Sequence, residues 1–167
     1  MNDIEMEMIE VGAEVYKNYG MDDLSATILS ILFFEPGEMT MDELAEITGY
    51  SLASISLKMK GLENVWGVHR RKKAGSRKIY FHMGKDYLDS LEETLRRGHE
   101  MESQLVKRSI PYLIRKYREQ ANSESQLERL HIAEKYCRQI DDVGRILESL
   151  YEKIDEIRSE QKDNGID

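Results

Sequence analysis

The sequence predicts a mostly α-helical protein with one small β-hairpin, and three observations support this prediction. Apolar residues recur at spacings of three and four along most of the 167 residues, as they do on one face of an α-helix. Helix caps separate these segments, and the chain has only two prolines. Residues 68–83 follow the alternating pattern of strands around a Gly-Ser pair, which is typical of a hairpin.

The first two helices are predicted at residues 4–19 and at about 24–34. Acids separate the members of an apolar stripe in the first helix, and Gly20 is a natural residue to end it. This stripe consists of Ile4, Met8, Val11 and Val15. The second helix is apolar on nearly every side, which indicates a buried central helix, and Glu35-Pro36-Gly37 ends it.

The next two helices are short and form a helix-turn-helix candidate. Thr40 and Glu43 form a capping box that opens the first, which ends at Thr48-Gly49-Tyr50. Ser51 caps the second, which runs to about Asn64. The predicted buried stripe of this second helix is Leu52, Ile55, Met59 and Leu62. Its outer face has small side chains and lysines, which favours close approach to a nucleic-acid groove. An ordinary helical hairpin with a Ser-rich surface is the alternative.

Positive charge is concentrated next to this helix. The chain has a net charge of −8, yet residues 58–85 hold nine Lys/Arg against one acid. A helix-turn-helix followed directly by a basic hairpin is the pattern of a winged helix. In that fold the helix from Ser51 would enter the major groove of DNA, and the hairpin would reach phosphates or the adjacent minor groove. The predicted DNA-contacting residues are Ser51, Ala53, Ser54, Ser56, Leu57, Lys58, Lys60, Arg71, Lys72, Lys73, Ser76, Arg77 and Lys78.

The same region resembles the winged-helix part of the MarR superfamily, in particular its GbsR-type branch, which includes archaeal members of similar length. Three stretches carry the resemblance: Met41 to Ser56 (MDELAEITGYSLASIS), Lys60-Gly61-Leu62-Glu63, and Gly75 to Phe81 (GSRKIYF). The resemblance covers roughly residues 20–90, and the link at residues 64–68 is one residue longer than usual. It implies a homodimeric transcription regulator, often a repressor, and some GbsR-type relatives respond to choline or related compounds. A small-molecule effector is therefore an open alternative, for which several aromatic faces would be needed. The available aromatic residues are Trp66, Tyr112, Tyr117 and Tyr136.

The remainder of the chain is predicted to be helical. One helix covers residues 84–108, and a new one starts near Pro111 with Ser109 as its cap. A loop at residues 122–125 precedes the last helix, whose apolar residues alternate spacings of three and four over four heptads. This stripe is longer than the preceding small helices could cover, so we expect it to meet a partner chain. Packing on the chain's own helix at residues 84–108 is the alternative. The last residues, 163–167, are expected to fray.

These features define the predicted domains and the predicted dimer. Residues 1–20 form an N-terminal dimerisation or packing helix, 21–88 the winged helix, and 89–162 a helical dimerisation region. The dimer interface is predicted to contain Ile4, Met8, Val11, Val15, Ala133, Tyr136, Ile140, Val143, Leu147, Leu150, Ile154 and Ile157.

Several other classes of protein are not indicated. No Gly-rich loop precedes a Lys-Ser/Thr pair and no nucleophile has a recognisable base, so we predict no enzyme and no cofactor. His69 and His82 could face each other across the hairpin, but two exposed histidines do not make a metal site. Cys137 is the only cysteine, which excludes an intrachain disulfide, and a small buried hydrophobe is its expected role. The acidic N-terminus lacks the basic start of a signal peptide, and no apolar run approaches the ~20 residues of a membrane span. We therefore expect a soluble cytoplasmic protein without a membrane partner.

Three functions remain. The leading hypothesis is a homodimeric, sequence-specific DNA-binding transcription regulator, with double-stranded DNA and a second copy of the chain as partners. The second is a winged-helix adaptor that binds proteins of the transcription machinery. The third is a coiled-coil oligomerisation module with an incidental basic hairpin.

Overall fold

The structure of the chain is a computed structural model that describes residues 2–163. These residues form six helices and three short strands. In chain order the elements are α1 (Asp3–Asn18), α2 (Asp23–Phe34), β1 (Met39–Thr40), α3 (Met41–Thr48), α4 (Leu52–Val65), β2 (His69–Lys72), β3 (Ile79–His82), α5 (Tyr87–Gln120) and α6 (Glu124–Asp163). The chain divides into two compact units, Met1–Thr94 and Leu95–Asp167. The predicted mostly helical architecture with a small hairpin is confirmed. The sequence predicts fraying of residues 163–167; Asp163 is the last residue of α6, and residues 164–167 lie outside the described residues.

Helix α2 is the centre of the first unit. Its residues Ile28, Leu29, Ile31 and Leu32 have no exposed surface, as predicted for a helix that is apolar on nearly every side. The surrounding core takes side chains from α1, α3, α4 and the sheet. Burial of this much apolar surface is the main contribution that holds the unit together.

Helix α1 packs on α2 with a different stripe from the one predicted to be apolar. Its buried residues are Ile9 and Ala13, and Met6 and Tyr16 pack on the same core. The predicted stripe is exposed, from 45% for Met8 and Val15 to 71% for Ile4. Both stripes have spacings of three and four, so α1 is apolar on two sides and its periodicity could not tell which side faces the core.

The predicted helix-turn-helix is confirmed as α3 and α4. The Thr40 hydroxyl accepts a hydrogen bond from the Glu43 N–H, the Glu43 carboxylate accepts one from the Thr40 N–H, and Gly49 ends α3 in the left-handed conformation. Ile55, Met59 and Leu62 of α4 are buried as predicted, but Leu52 is 48% exposed. Leu52 is the first residue of α4, and side chains in a helix lean towards its N-terminus, so this one projects past the end of the packed face.

The hairpin belongs to a three-stranded antiparallel sheet with the strand order β1-β3-β2. His69 pairs with His82, Arg70 with Phe81, Arg71 with Tyr80 and Lys72 with Ile79. Strand β1 was not predicted, because two residues are too few for an alternating pattern, and its Met39 pairs with Phe81. The three strands and the helix-turn-helix together make a winged helix.

Helix α5 is continuous through Pro111, so the predicted break at this residue is wrong. A proline inside a helix removes one N–H donor, which here leaves the Lys107 carbonyl without its usual helical partner. Pro111 and Lys107 are both exposed, so water can satisfy that carbonyl. Exposure therefore removes the hydrogen-bonding penalty of the proline and leaves only the steric contact of its ring with that carbonyl.

Within the second unit, α5 and α6 run antiparallel and contact each other through polar side chains. The Tyr136 hydroxyl donates to Glu102 at 2.7 Å, Lys107 pairs with Asp141 at 2.9 Å, and Arg118 pairs with Glu134. Gly144 allows a close approach of the His99 ring, since a Cβ there would lie 2.9 Å from His99 Nε2. The two helices therefore form a hairpin.

Candidate nucleic-acid interface

Helix α4 presents the outer face that the sequence predicted. Ala53, Ser56, Leu57 and Lys60 are exposed, and Leu57 has 75% of its surface accessible. No acid interrupts this face before Glu63. Small side chains in the first two turns allow a groove wall to approach closely, and the Leu57 side chain is available for apolar contact with a base methyl group.

Three other predicted contact residues of α4 have partners within the chain. Ser51 caps the helix by accepting from the Ser54 N–H at 3.2 Å, and the two hydroxyls lie 3.0 Å apart. The Lys58 ammonium lies 3.0 Å from Asp22, the N-cap residue of α2. Burial opposes ionisation of Asp22, but hydrogen bonds from Ser25 and Lys58 outweigh it and lower the pKa of this carboxyl. Lys58 is thus held by a counter-charge in the free protein.

The turn at residues 73–76 connects β2 to β3, and the side chains of the hairpin lie on two opposite faces. The Ser76 N–H donates to the Lys73 carbonyl at 3.1 Å, and Gly75 has a φ of 80°, a conformation that favours glycine. The Lys78 N–H donates to the Ser76 hydroxyl at 3.1 Å, which holds Ser76 within the turn. Because successive side chains of a strand alternate, Arg70 and Lys72 lie on one face of β2 and Arg71 on the other. Lys73, the first residue after β2, lies on the side of Arg71, above the ring of Tyr80 that pairs with Arg71.

The face with Arg71 and Lys73, here called the outer face of the hairpin, is closed by Glu38. The Glu38 carboxylate lies 3.2 Å from Arg71 Nη1 and 3.0 Å from Lys73 Nζ, and its side chain is only 17% exposed. The adjacent ammonium of Lys73 is the main cause that lowers the pKa of Glu38; burial opposes this effect and Arg71 adds to it. Lys73 also lies 4.0 Å above the Tyr80 ring. Two of the predicted phosphate contacts are therefore already engaged with an acid.

The remaining hairpin cations differ in their partners. Lys78 pairs with Asp42 of α3 at 3.0 Å, and this hydrogen bond raises the pKa of the lysine. Lys72 and Arg77 are exposed and form no ion pair with any residue of the described part of the chain. They are the wing cations available to an outside anion.

The opposite face of the hairpin adjoins α4 across a groove of about 430 Å³, here called the α4–hairpin groove. Its polar lining includes Ser56, Lys60, Glu63, Asn64 and Arg70. Arg70 Nε lies 3.8 Å from Glu63 Oε2. Sequence reasoning placed neither Arg70 nor Asn64 in the site. The alternation of β2 could have separated Arg70 from Arg71, but the pattern alone could not say which face adjoins α4.

The two histidines of the hairpin pair as expected, at the end remote from the turn. The rings of His69 and His82 are 5.3 Å apart, and His69 Nε2 lies 3.3 Å from Glu93 Oε2. Across residues 2–163, no group of three or more His, Cys, Asp or Glu side chains could hold a metal ion. Cys137 is half-buried.

Aromatic residues cluster in the first unit, but in a combination that was not predicted. Trp66 packs edge-on against Tyr16, with 6.1 Å between ring centroids, and lies 6.3 Å from Tyr19. Burial is the main cause that raises the pKa of Tyr16 to about 12, and nearby Tyr87 and Tyr19 add to it. Tyr16 and Trp66 are half-buried and pack against the core of the first unit, whereas Tyr19 is 60% exposed. Trp66 is the only member of this cluster from the set considered for an effector site.

The predicted dimer residues of α6 fall into two groups. Ile140 and Ile154 are buried within the single chain, at 4% and 3% exposure, and Ala133, Leu147 and Ile157 are half-buried. Tyr136, Val143 and Leu150 are exposed. Two further exposed residues, Ile132 and Ile146, extend this second group, which is here called the outer stripe of α6: Ile132, Tyr136, Val143, Ile146 and Leu150. The heptad pattern thus combined an intrachain stripe with a neighbouring exposed one.

Within residues 2–163, none of the helices has the length and hydropathy of a membrane span.

The fold and this basic surface define the class of architecture as a winged helix. A solved structure described as a transcriptional regulator is similar over 89% of this chain and 98% of its own, with a TM-score of 0.62 and 19% identity. The transcriptional regulator Tm0710 from Thermotoga maritima is similar over 82% and 89%, with a TM-score of 0.41 and 15% identity. MepR, a transcription regulator of the Staphylococcus aureus multidrug efflux pump MepA, is similar over 88% and 93%, with a TM-score of 0.40 and 16% identity.

These comparisons bear on the fold. The likeness with the TM-score of 0.62 shows that this chain and that regulator share a fold, and the two lower scores carry no further argument. No protein-family model matches the chain, and no curated protein matches it either. The winged helix implied by the family resemblance is therefore confirmed, and the GbsR-type branch stays a prediction.

Proposed function

We propose that the chain is a homodimeric, sequence-specific DNA-binding transcription regulator of the MarR-like type. The observation that carries the proposal is the outer face of α4, which is exposed, free of acids before Glu63, and adjoins a basic hairpin. Surface helices usually carry both acids and bases. A helix in the major groove lies between two negatively charged phosphate backbones, which repel acidic side chains. The structural similarity to a transcriptional regulator, with a TM-score of 0.62, supports the same proposal at the level of fold.

In this proposal α4 lies in the major groove and reads bases with modest strength. Ala53 and Leu57 contact thymine methyl groups, and Ser56 donates to or accepts from base edges. The exposed face lacks Arg, Asn and Gln before Asn64, so it offers few bidentate contacts to bases. DNA shape therefore supplies much of the specificity.

The dimer uses the exposed apolar surfaces of α1 and α6. Ile4 and Val11 of α1 are 71% and 68% exposed, and Ile146 of the outer stripe of α6 is 67% exposed. On each helix, several large apolar side chains exposed along one face mark an interaction site. A two-fold dimer reads half-sites about one helical turn of DNA apart, so the operator is an imperfect palindrome. A repressor role follows from the family resemblance.

A direct test is a gel-shift titration with DNA from immediately upstream of the protein's own coding sequence. The proposal expects a discrete complex that survives excess competitor DNA of unrelated sequence. Protection of an imperfect palindrome in a footprint would locate the operator. Complete absence of binding at about 50 mM salt, where phosphate contacts are strongest, would contradict the proposal.

The second candidate is a protein-binding adaptor, and one observation favours it. Tyr50, Leu52 and Leu57 are 44%, 48% and 75% exposed around α4, and Lys58 beside them is paired with Asp22. An apolar surface with partly neutralised charge also suits a protein partner. Retention on heparin that disappears at moderate salt, together with the gel shift, separates DNA binding from this alternative.

A further inference from the structure

The basic hairpin has two faces that differ in what already occupies their cations. On the outer face, Glu38 lies 3.2 Å from Arg71 and 3.0 Å from Lys73, and the Tyr80 ring lies beneath Lys73. On the other face, Arg70 pairs within residues 2–163 only with Glu63, and the distance between Arg70 Nε and Glu63 Oε2 is longer, at 3.8 Å. The sequence offers four consecutive cations, Arg70 to Lys73, without this distinction.

The second face is also the one that adjoins the proposed reading helix. Arg70 lines the α4–hairpin groove together with Lys60 and Asn64 of α4. Lys72 pairs with Ile79 across the hairpin, and Ile79 lines the same groove, so Lys72 extends from the same face. The groove therefore has donors on both sides: Lys60 and Asn64 from the helix, and Arg70 from the strand.

We propose that the α4–hairpin groove is the phosphate-binding site of this protein, with Lys60, Arg70 and Lys72 as its cations. Arg71 and Lys73 are held by Glu38 and leave the DNA backbone uncontacted. This inference rests on the proposed DNA-binding function and deepens it, because it assigns Arg70 to the site and removes two residues that the charge pattern placed there.

The physical reason is the competition between a carboxylate and a phosphate for the same donors. An ion released from DNA raises the affinity only when a protein cation replaces it at the phosphate. Arg71 and Lys73 would have to leave a largely buried carboxylate, which would then have neither of its counter-charges. Lys72 has no such partner among the described residues. Arg70 would give up only its 3.8 Å contact with Glu63 to bind a phosphate.

Adjacent lysines provide a matched pair of variants for the test. Lys72→Gln and Lys73→Gln remove the same charge one residue apart on opposite faces, and Arg70→Gln and Arg71→Gln form a second pair. The probe is a short, fluorescently labelled DNA duplex of arbitrary sequence, because phosphate contacts do not depend on sequence. Anisotropy titrations over a series of salt concentrations give the dissociation constant and the slope of log K against log salt for each variant.

The proposal expects Lys72→Gln and Arg70→Gln to weaken binding several-fold. Each also flattens the salt slope by about 0.9 for every phosphate that the variant no longer neutralises, and by twice that in a dimer on one duplex. Lys73→Gln and Arg71→Gln leave the slope unchanged. Glu63→Gln tightens binding, since it removes the acid closest to Arg70 in the groove. Thermal melting of each variant, followed by circular dichroism, controls for loss of fold.

The other outcomes are decisive as well. Equal weakening by Lys72→Gln and Lys73→Gln, or weakening confined to the Lys73 and Arg71 variants, overturns the assignment of the groove while leaving DNA binding established. Failure of the unmodified protein to bind the duplex at any salt concentration overturns the proposed function, and the groove assignment with it.

Discussion

At the scale of single residues, the contact between α1 and α2 depends on Gly12. A Cβ at this position would lie 2.4 Å from Ser30 Oγ and 2.9 Å from the Phe34 ring. Ser30 cannot move easily, because it is fully buried and its hydroxyl donates to the Ile9 carbonyl at 2.6 Å. The glycine is therefore required by the space between the two helices, since its backbone conformation is an ordinary one.

The first prediction is that Gly12→Ala lowers the free energy of unfolding. Overpacking costs about 1–3 kcal/mol, which exceeds the ~1 kcal/mol that alanine gains over glycine in a helix. Gly61→Ala is the matched control, because Gly61 lies inside α4 and a Cβ there would meet nothing within 4 Å. That variant should gain about 0.5–1 kcal/mol. Urea denaturation measures both, and a Gly12→Ala protein as stable as Gly61→Ala would refute the packing argument.

The second prediction concerns the pH dependence of stability at the cap of α3. Hydrogen bonds from the Thr40 backbone first, and then from its hydroxyl, lower the pKa of Glu43 from its ordinary value of 4.5. A carboxyl with a depressed pKa in the folded state contributes stability that is complete above pH ~4.5 and is lost as the pH falls through the folded-state pKa. Glu43→Gln keeps the capping geometry but does not titrate. Its unfolding free energy should therefore fall less steeply than that of the unmodified protein between about pH 5 and pH 3. Parallel acid profiles for the two proteins would show that the Glu43 carboxylate contributes nothing.

At the scale of elements, α6 carries two apolar stripes with different roles. Ile140, Tyr151 and Ile154 are buried within the chain, whereas Val143 and Ile146 are 41% and 67% exposed. A helix of 40 residues with apolar side chains on two sides needs a partner on each side to cover them. The second partner in the proposed function is another copy of the chain.

The third prediction is that Ile146→Glu separates the dimer without unfolding the chain. A carboxylate in an apolar interface loses its hydration, which costs several kcal/mol per dimer. Sedimentation should show the unmodified protein as a dimer and Ile146→Glu as a folded 19.5 kDa monomer at micromolar concentration. Ser149→Glu is the matched control, since Ser149 is exposed on α6 outside the outer stripe, and it should remain dimeric.

Ile154→Glu tests the other stripe of α6. Ile154 is 3% exposed, so a charge there destabilises the chain itself, and helical signal should melt at a lower temperature. If the unmodified protein sediments as a monomer, the outer stripe is not a dimer surface. A dimer that survives Ile146→Glu would place the interface on another surface.

Sequence reasoning located most elements because their signals are local. The capping box of Thr40 and Glu43, the cap at Ser51 and the Gly75 turn each need only a few neighbouring residues to be recognised. Strand β1 and the continuity of α5 through Pro111 depend instead on tertiary pairing and on exposure, which no local pattern contains. The candidate site divides in the same way. The exposed face of α4 follows from its periodicity, whereas the contact of Glu38 with Arg71 joins residues 33 positions apart.

At the scale of the whole molecule, the charge arrangement is more balanced than composition suggested. The basic window at residues 58–85 has a net charge of +8, but acids from outside it meet several of its cations. Asp22 reaches Lys58, Glu38 reaches Arg71 and Lys73, and Asp42 reaches Lys78. The acids lower non-specific attraction to phosphates, so the effective number of phosphate contacts should be smaller than the number of basic residues.

This arrangement gives the fourth prediction, on the salt dependence of the unmodified protein. If Lys60, Arg70 and Lys72 of the α4–hairpin groove bind phosphate, with or without the exposed Arg77 of the turn, a protomer makes about three or four contacts. The dimer then makes about 6–8, which corresponds to a slope of log K against log salt of roughly −5 to −7. A slope near −2 would mean that the basic hairpin does not lie on the DNA backbone.

The proposed function depends above all on DNA binding by the outer face of α4. The most direct measurement is the affinity of the Ala53→Glu variant for the operator, compared with that of the unmodified protein. Ala53 is exposed near the start of α4, and a carboxylate there would face the phosphates and base edges of the groove. The comparison uses the upstream DNA duplex, the unmodified protein and Ser149→Glu, which adds the same charge to α6. We expect Ala53→Glu to weaken specific binding by at least about 100-fold, a cost of roughly 2.7 kcal/mol, while its sedimentation and melting stay unchanged. Ser149→Glu should bind as the unmodified protein does. If Ala53→Glu binds the operator as tightly as the unmodified protein, α4 does not read DNA and the proposed function is wrong.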